Sequence, residues 1–241
     1  MPRKYIKYIL CISSILFGGC NPYGAASVDP RFFPYASTSS NSANCGDGTS
    51  ICLFDTFNRA DSGAGLGTPT TRNGIGNATW TNILGAWGVT SNAAVPSSMP
   101  AFESVSIIDI GYSNCSVELS ISAAPMNIVG IVFRADAAGG DYWAFEADFG
   151  VSYPGAPTYA LGKWSGGIRT HVASIVTPPI PTIGHTMRVE LSGSNITLKI
   201  NGTTQYSTSD ATYATKTAYG LRAEADTGSA VDNFLVEDCS P

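Results

Sequence analysis

The chain has 241 residues, 44% hydrophobic and 13% charged, with 26 Gly, 14 Pro and a formal charge of −5. That is enough apolar material for one sizeable core, and short apolar runs at turn-rich spacing suit one all-β domain better than two small ones. Setting aside Arg3, Lys4 and Lys7 in a removable N-terminal segment leaves 10 of the 13 Lys+Arg against 18 Asp+Glu, or −8, with no basic cluster; nucleic-acid binding and electrostatic docking on anionic lipid are excluded.

Residues 1–20 have a basic start, an apolar run over 8–17 and small residues before Cys20. This is the layout of an export signal, too short to span a bilayer as a mature helix. The ending Leu16-Phe17-Gly18-Gly19-Cys20 resembles the bacterial lipobox, with Phe17 and Gly18 departing from its commonest residues. The resemblance implies lipidation of Cys20 and a protein exported to the bacterial envelope, anchored at the outer membrane or cell surface; a soluble exported protein is the alternative. Residues 21–50 are rich in Ser, Asn, Ala, Gly and Pro and read as a flexible tether, leaving 51–241 as the folded domain.

Apart from Cys11 and Cys20, four cysteines remain, and they allow three pairings. The simplest expectation is Cys45 with Cys52, which flank Gly46-Asp47-Gly48, and Cys115 with Cys239. Cys-x-x-Cys is absent and only His171 and His185 could assist, so zinc has little support.

Residues 51–61 are expected to be a strand running into a loop, and strands are expected at 80–84, 86–90 and 102–110, with Trp80 and Trp87 in the core. The stretch 117–149 reads as three consecutive strands. In the first, Val117, Leu119 and Ile121 alternate with Glu118, Ser120 and Ser122. The second, 128–133, is apolar on both faces and therefore central. The third sets Trp143, Phe145, Ala147 and Phe149 against Tyr142, Ala144, Glu146 and Asp148, which predicts a dry aromatic side and a solvated acidic one, with Arg134 in reach of the latter. Further strands fall at 158–164, 168–176, 185–191, 196–200, 219–224 and 231–237. Many short strands without a βαβ pattern predict an all-β antiparallel two-sheet sandwich.

The order of Phe54-Asp55-Thr56-Phe57-Asn58-Arg59-Ala60-Asp61, Trp80, Trp87, Gly130-Ile131-Val132-Phe133-Arg134-Ala135, Lys163-Trp164, Val189-Glu190-Leu191-Ser192-Gly193-Ser194, Asn201-Gly202 and Val231-Asp232-Asn233-Phe234 resembles that of concanavalin A-like lectin/glucanase domains. The resemblance covers roughly 51–239 and implies a jelly-roll sandwich of a flat and a curved sheet. Fold alone does not fix function here, since lectins, laminin-G-like modules, pentraxins and glycoside hydrolases share it.

The family's glucanases carry Glu-x-Asp-x-x-Glu on a catalytic strand, whose two glutamates work as nucleophile and acid. Here the pattern is Glu146, Asp148 and then Val151, so it is incomplete and no catalytic residue is assigned. No nucleophile motif accompanies His171 or His185, so a hydrolytic triad has no support. The expected ligand contacts are Tyr142, Glu146, Asp148 and Arg134, with Lys163 and a solvent-exposed Trp164 at a strand end, because aromatic planes pack on sugar rings while polar groups bind hydroxyls. Trp143 faces the core. No cofactor is required; calcium is an open alternative through Asp61, Asp109, Asp232, Asp136 or Asp141, although no acidic loop has recognisable spacing.

The expectation is therefore an envelope lipoprotein presenting a non-catalytic sandwich that binds glycan or an extracellular matrix macromolecule, touching membrane through its lipid anchor alone and binding no nucleic acid. One alternative is a carbohydrate-active enzyme pairing Glu146 or Asp148 with Glu118, Glu190 or Glu224. Another is a structural module that contacts protein through its β-surface.

Overall fold

The computed structural model of the protein describes residues 52–123, 128–136, 138, 140–150, 157–175, 180–225 and 227–240. The export segment, the tether, Cys20, Cys45 and Val151 lie outside the described residues. The strands are β1 (Cys52–Asp55), β2 (Thr71–Asn73), β3 (Thr81–Leu84), β4 (Ala86–Thr90), β5 (Ala93–Ser98), β6 (Glu103–Asp109), β7 (Asn114–Ala123) and β8 (Ile128–Ala135), then β9 (Tyr142–Asp148), β10 (Thr158–Ser165), β11 (Ile168–Ile175), β12 (Thr186–Ser192), β13 (Asn195–Ile200), β14 (Thr203–Ser209), β15 (Ala218–Glu224) and β16 (Ala230–Ser240). They form two antiparallel sheets, a jelly-roll sandwich of the expected concanavalin A-like kind. One sheet has nine strands, with β14-β13-β12-β7-β16-β1-β2 as its main path and the β4–β5 ribbon joined through β5 to β16; the other has seven, in the order β11-β10-β9-β8-β15-β6-β3.

Alternation decides which sides meet. Val117, Leu119 and Ile121 of β7 point inward with Val189 of β12 and Val236 of β16, while Glu118 and Ser120 stay partly exposed. From the other sheet come Val129, Ile131, Phe133, Trp143, Phe145, Tyr159 and Leu221. Each fully buried aliphatic or Phe side chain contributes about 1.5–3 kcal/mol to this core. β8 is buried at every position, as a strand between two others under a covered face should be.

Two expectations need correction. The three strands of 117–149 are consecutive but do not share a sheet: β7 pairs with β12 and β16, whereas β8 pairs with β9 and β15. Alternation reports which face is dry and says nothing about the partner strand, so a chain crossing between sheets reads like a hairpin. Trp87 is in the core, but Trp80 is half-buried at its margin, edge-on to Phe234 and donating from its indole N–H to Asp55 at 2.8 Å.

Asp55 explains the order of the motif around it. Its buried carboxylate accepts from Trp80, from Phe57 N–H at 3.0 Å, from Thr70 and from the Arg59 guanidinium, which also donates to Leu66 O at 2.6 Å. One acid thereby ties loop 56–70 to β1. Burial pushes its carboxyl above the usual range, against the pull of these donors. At the opposite end of the chain, Cys115 of β7 and Cys239 of β16 form a disulfide, as expected. Cys52 is also disulfide-bonded, and the Cys45–Cys52 pairing falls outside the described residues.

Candidate functional site

The outward face of the seven-stranded sheet is built on small residues. Gly130, Ala144, Ala160, Gly162 and Gly220 sit on neighbouring strands where side chains would otherwise stand up, and long side chains from the periphery lie down over them. Gly130 of β8 is paired with Glu146 of β9 on one side and Arg222 of β15 on the other. With no side chain between them, the two form an ion pair across the intervening strand. A Cβ at Gly162 would come within 2.8 Å of the Trp164 ring, so the indole occupies the space that this glycine leaves.

Arg222 is the centre of the resulting network, 2% exposed. Its guanidinium pairs with Glu146 and Glu224, and its Nε donates to Glu103 at 2.8 Å. Arg169 of β11 takes the second oxygen of Glu146 at 2.6 Å. Trp164 lies 4.5 Å from Arg222 and 5.3 Å from Arg169 and stacks on Tyr142 with ring centres 5.0 Å apart and planes 13° apart. The Tyr142 hydroxyl donates to Glu103 at 2.8 Å. Burial drives the Tyr142 hydroxyl well above its usual range, and the surrounding glutamates drive Arg222 upward despite its burial; both groups keep their protons. Val105, Ile107, Val132, Ala144 and Ala218 complete a second apolar cluster on this side of the sheet.

A cleft of about 290 Å³ opens beside the aromatic pair. Its walls are Ile83 and Leu84 of β3, Glu103 and Val105 of β6, and Tyr142 and Trp164, with Ala138, Gly140 and Gly167 at the rim. The rim is held by backbone: Gly167 N–H donates to Gly140 O, and Gly166 N–H to the Asp141 carboxylate at 2.9 Å. Such a volume sits at the small end of ligand pockets, roughly 300–1,000 Å³.

The structure thus redistributes the expected site residues. Tyr142 and Trp164 come together at the cleft, but Trp164 is 2% exposed and not a free strand-end platform. Glu146 is 1% exposed and Asp148 also buried, so the solvated acidic face is corrected: the small-residue floor lets Arg222, Arg169 and Trp164 cover it. Arg134 does not reach that face. Ala218 faces Ala135 while Gly220 faces Val132, so β8 carries one extra residue, and at this bulge Arg134 has φ 48° and turns toward the other sheet, donating to Asp210 O and Gly193 O. Lys163 alternates with Trp164 and so faces inward too, over Trp143 and 3.3 Å from Asp210.

Of the acids proposed as partners for Glu146, Glu224 shares Arg222 with it. Glu118 and Glu190 belong to the other sheet's outer face, around Arg188. Asp61, Asp109, Asp136, Asp141 and Asp232 are scattered: Asp136 pairs with Lys216, Asp109 accepts from Thr217 and Asp61 from Ser91. Among the described residues no three His, Cys, Asp or Glu side chains gather in a way that could hold a metal ion.

Sequence reasoning missed Arg222, Glu103, Ile83 and Leu84 as site residues, although Arg222 was open, with Arg134 and Arg188, as an ion-pair partner of Glu146 and Asp148. Arg222 had a signal: it is the one cation in Ala-Tyr-Gly-Leu-Arg-Ala-Glu, a strand apolar up to its terminal Glu224, and a buried cation requires counter-charges. The other three are remote in sequence and meet the aromatic pair only through pairing order.

Comparison with solved structures finds the same architecture. The carbohydrate-binding module CBM66 from Bacillus subtilis aligns at 15% identity and TM-score 0.51, over 64% of this chain and 91% of its own. The apo Crh5 transglycosylase aligns at 15% identity and TM-score 0.50, over 79% of this chain and 85% of its own. A protein of unknown function with a galectin-like fold, also from Bacillus subtilis, aligns at 15% identity and TM-score 0.48, over 66% and 89%. At such identity the likeness shows the jelly-roll sandwich fold alone. No protein-family model and no curated protein matches the chain.

Proposed function

We propose that the protein is an exported carbohydrate-binding sandwich that takes a glycan in the cleft walled by Trp164, Tyr142, Glu103, Leu84, Ile83 and Val105, without hydrolysing it. The observation that carries this reading is the cleft itself: Ile83 and Leu84 line it for the C–H faces of a sugar, over the buried Tyr142–Trp164 pair and beside the Glu103 carboxylate, which can accept from hydroxyls. Neighbours that include a carbohydrate-binding module support it, and a transglycosylase among them keeps chemistry in view. Against catalysis, both oxygens of Glu146 are taken by arginines and the residue is sealed from solvent. The export signal, the lipobox-like ending at Cys20 and the Cys115–Cys239 disulfide support an envelope lipoprotein made in an oxidising compartment.

The test incubates the oxidised protein with an array of plant, fungal and bacterial polysaccharides, with calcium and with chelator, and measures bound protein and released reducing ends together. Binding without release is expected, abolished by Ala138→Trp, which fills the cleft from its exposed rim. Release of sugar, or binding that Ala138→Trp leaves intact, would overturn the reading.

A further inference from the structure

Among the described residues, Phe102 is the one aromatic in the set of exposed large hydrophobic side chains, at 72% exposure. It immediately precedes Glu103 of the cleft wall, and it closes the turn Pro100–Phe102 that leads into β6. Ala101 and Phe102 both take left-handed backbone, φ 54° and 65°, which is unfavourable for any residue with a Cβ and costs twice over in succession.

The turn is nevertheless firmly held. Phe102 N–H donates to Met99 O at 3.2 Å, Glu103 N–H to Pro100 O, and Ala225 N–H to Phe102 O at 2.8 Å. From behind, the corner between β3 and β4 presses on it: a Cβ at Gly85 would lie 2.3 Å from Ser98 O and 3.0 Å from Pro100 Cδ, and Ser104 Oγ donates to the carbonyls of Leu84 and Ala86. Among the described residues, this strained, clamped turn delivers an aromatic ring into water and gains little from packing it. Its return lies in an external contact.

We propose that Phe102 is a second platform for the ligand of the cleft, so that the protein binds a neutral glycan chain and not a single sugar unit, an inference that rests on the cleft being a glycan site. A chain seated in the cleft that leaves past Glu103 and the half-exposed Leu84 meets Phe102 next, where the C–H face of a following unit packs on the ring. Neutral units are indicated because Glu103 is the nearest charge along the chain and the surface as a whole is acidic, which disfavours uronic acids and sulfated sugars.

The experiment is isothermal titration of the full oxidised protein with cello-, laminari-, malto- and chito-oligosaccharides, each as dimer, tetramer and hexamer. The native protein is expected to bind hexamer about ten-fold more tightly than dimer in at least one series, and Phe102→Ala to lose that advantage with dimer affinity held within about two-fold. Phe102→Trp should keep it. Equal affinity for dimer and hexamer, or a Phe102→Ala variant that weakens both alike or neither, overturns the proposal while leaving the cleft reading in place. Ala138→Trp run in parallel separates the two: dimer binding that survives it, or failure of every series to bind, removes the cleft reading and this inference together.

Discussion

Glu146 shows how far a single side chain can sit from what its neighbours in sequence suggest. In β9 the alternation places it with Tyr142, Ala144 and Asp148 on the side away from the core, which on a two-faced strand means water. That inference needs empty space above the strand. Gly162, Gly130 and Gly220 instead make room for Trp164 and Arg222 to fold over it, and glycines on other strands, remote in sequence, carry no readable link to Glu146. Tyr142 and Trp164 were legible as candidates because large aromatics near strand ends are few; their burial, and the reversal of Arg134 by a bulge, were set by non-local pairing. Glu146→Ala should therefore act on stability and not on turnover. Removing it takes from Arg222 its fully buried counter-charge while Glu103 and Glu224 remain, and denaturant titration should show a loss of about 1–3 kcal/mol. Gly162→Ala should be milder for the fold yet displace the indole, lowering glycan affinity and shifting tryptophan fluorescence; an unchanged spectrum with unchanged affinity would refute the floor role.

Among the strands, legibility followed apolar content. β6, β8, β10 and β13 were readable from their β-branched and alternating residues, whereas β2, β5 and β14 were not. β14 is Thr-Thr-Gln-Tyr-Ser-Thr-Ser, with one large apolar body in seven residues, and it is a strand because β13 offers it a partner edge. β5 carries Pro96, which ordinarily argues against a strand and is tolerated in this short ribbon beside β4. The pairing of β7 with β16 is reinforced covalently. Cys115 and Cys239 are 124 residues apart, so reducing the bond frees a long loop in the unfolded chain, and chemical denaturation with and without reductant should differ by about 2–5 kcal/mol.

The two sheets also meet through Tyr159 of β10, whose hydroxyl bonds His185 Nδ1 at 2.8 Å just before β12. Burial keeps the tyrosine protonated, and the imidazole tautomer sets which of the two groups donates. Burial likewise lowers the His185 pKa below 6.5. The folded state then binds fewer protons than the unfolded one as acid is added, so stability is complete above 6.5 and declines as pH falls through the lowered value. His171 shifts in the same direction, by burial and then by Arg169, but it is exposed and its contribution is screened. Melting temperatures measured from about pH 7 to about pH 5 should fall, and His185→Gln should flatten the decline.

At the scale of the whole molecule, the proposed life outside the cytoplasm draws on the acidic composition, the export-signal layout of residues 1–20 and the disulfide. If Cys20 carries a lipid, the protein should partition into detergent from membranes, and Cys20→Ala should leave it in the soluble exported fraction; a soluble native protein would refute the anchor. Among the described residues the two larger apolar clusters, one between the sheets and one on the outer side of the seven-stranded sheet, have no side chain in common, and a third is formed by Cys52 and Leu235 alone. Substitutions in separated clusters tend to add without coupling. If the outer layer of the seven-stranded sheet takes the proposed glycan, it is thus free to drift: a lineage could exchange Ile83, Leu84, Val105 or Trp164 and try new recognition chemistry while the core between the sheets stays untouched, a freedom that a site built into that core would not have.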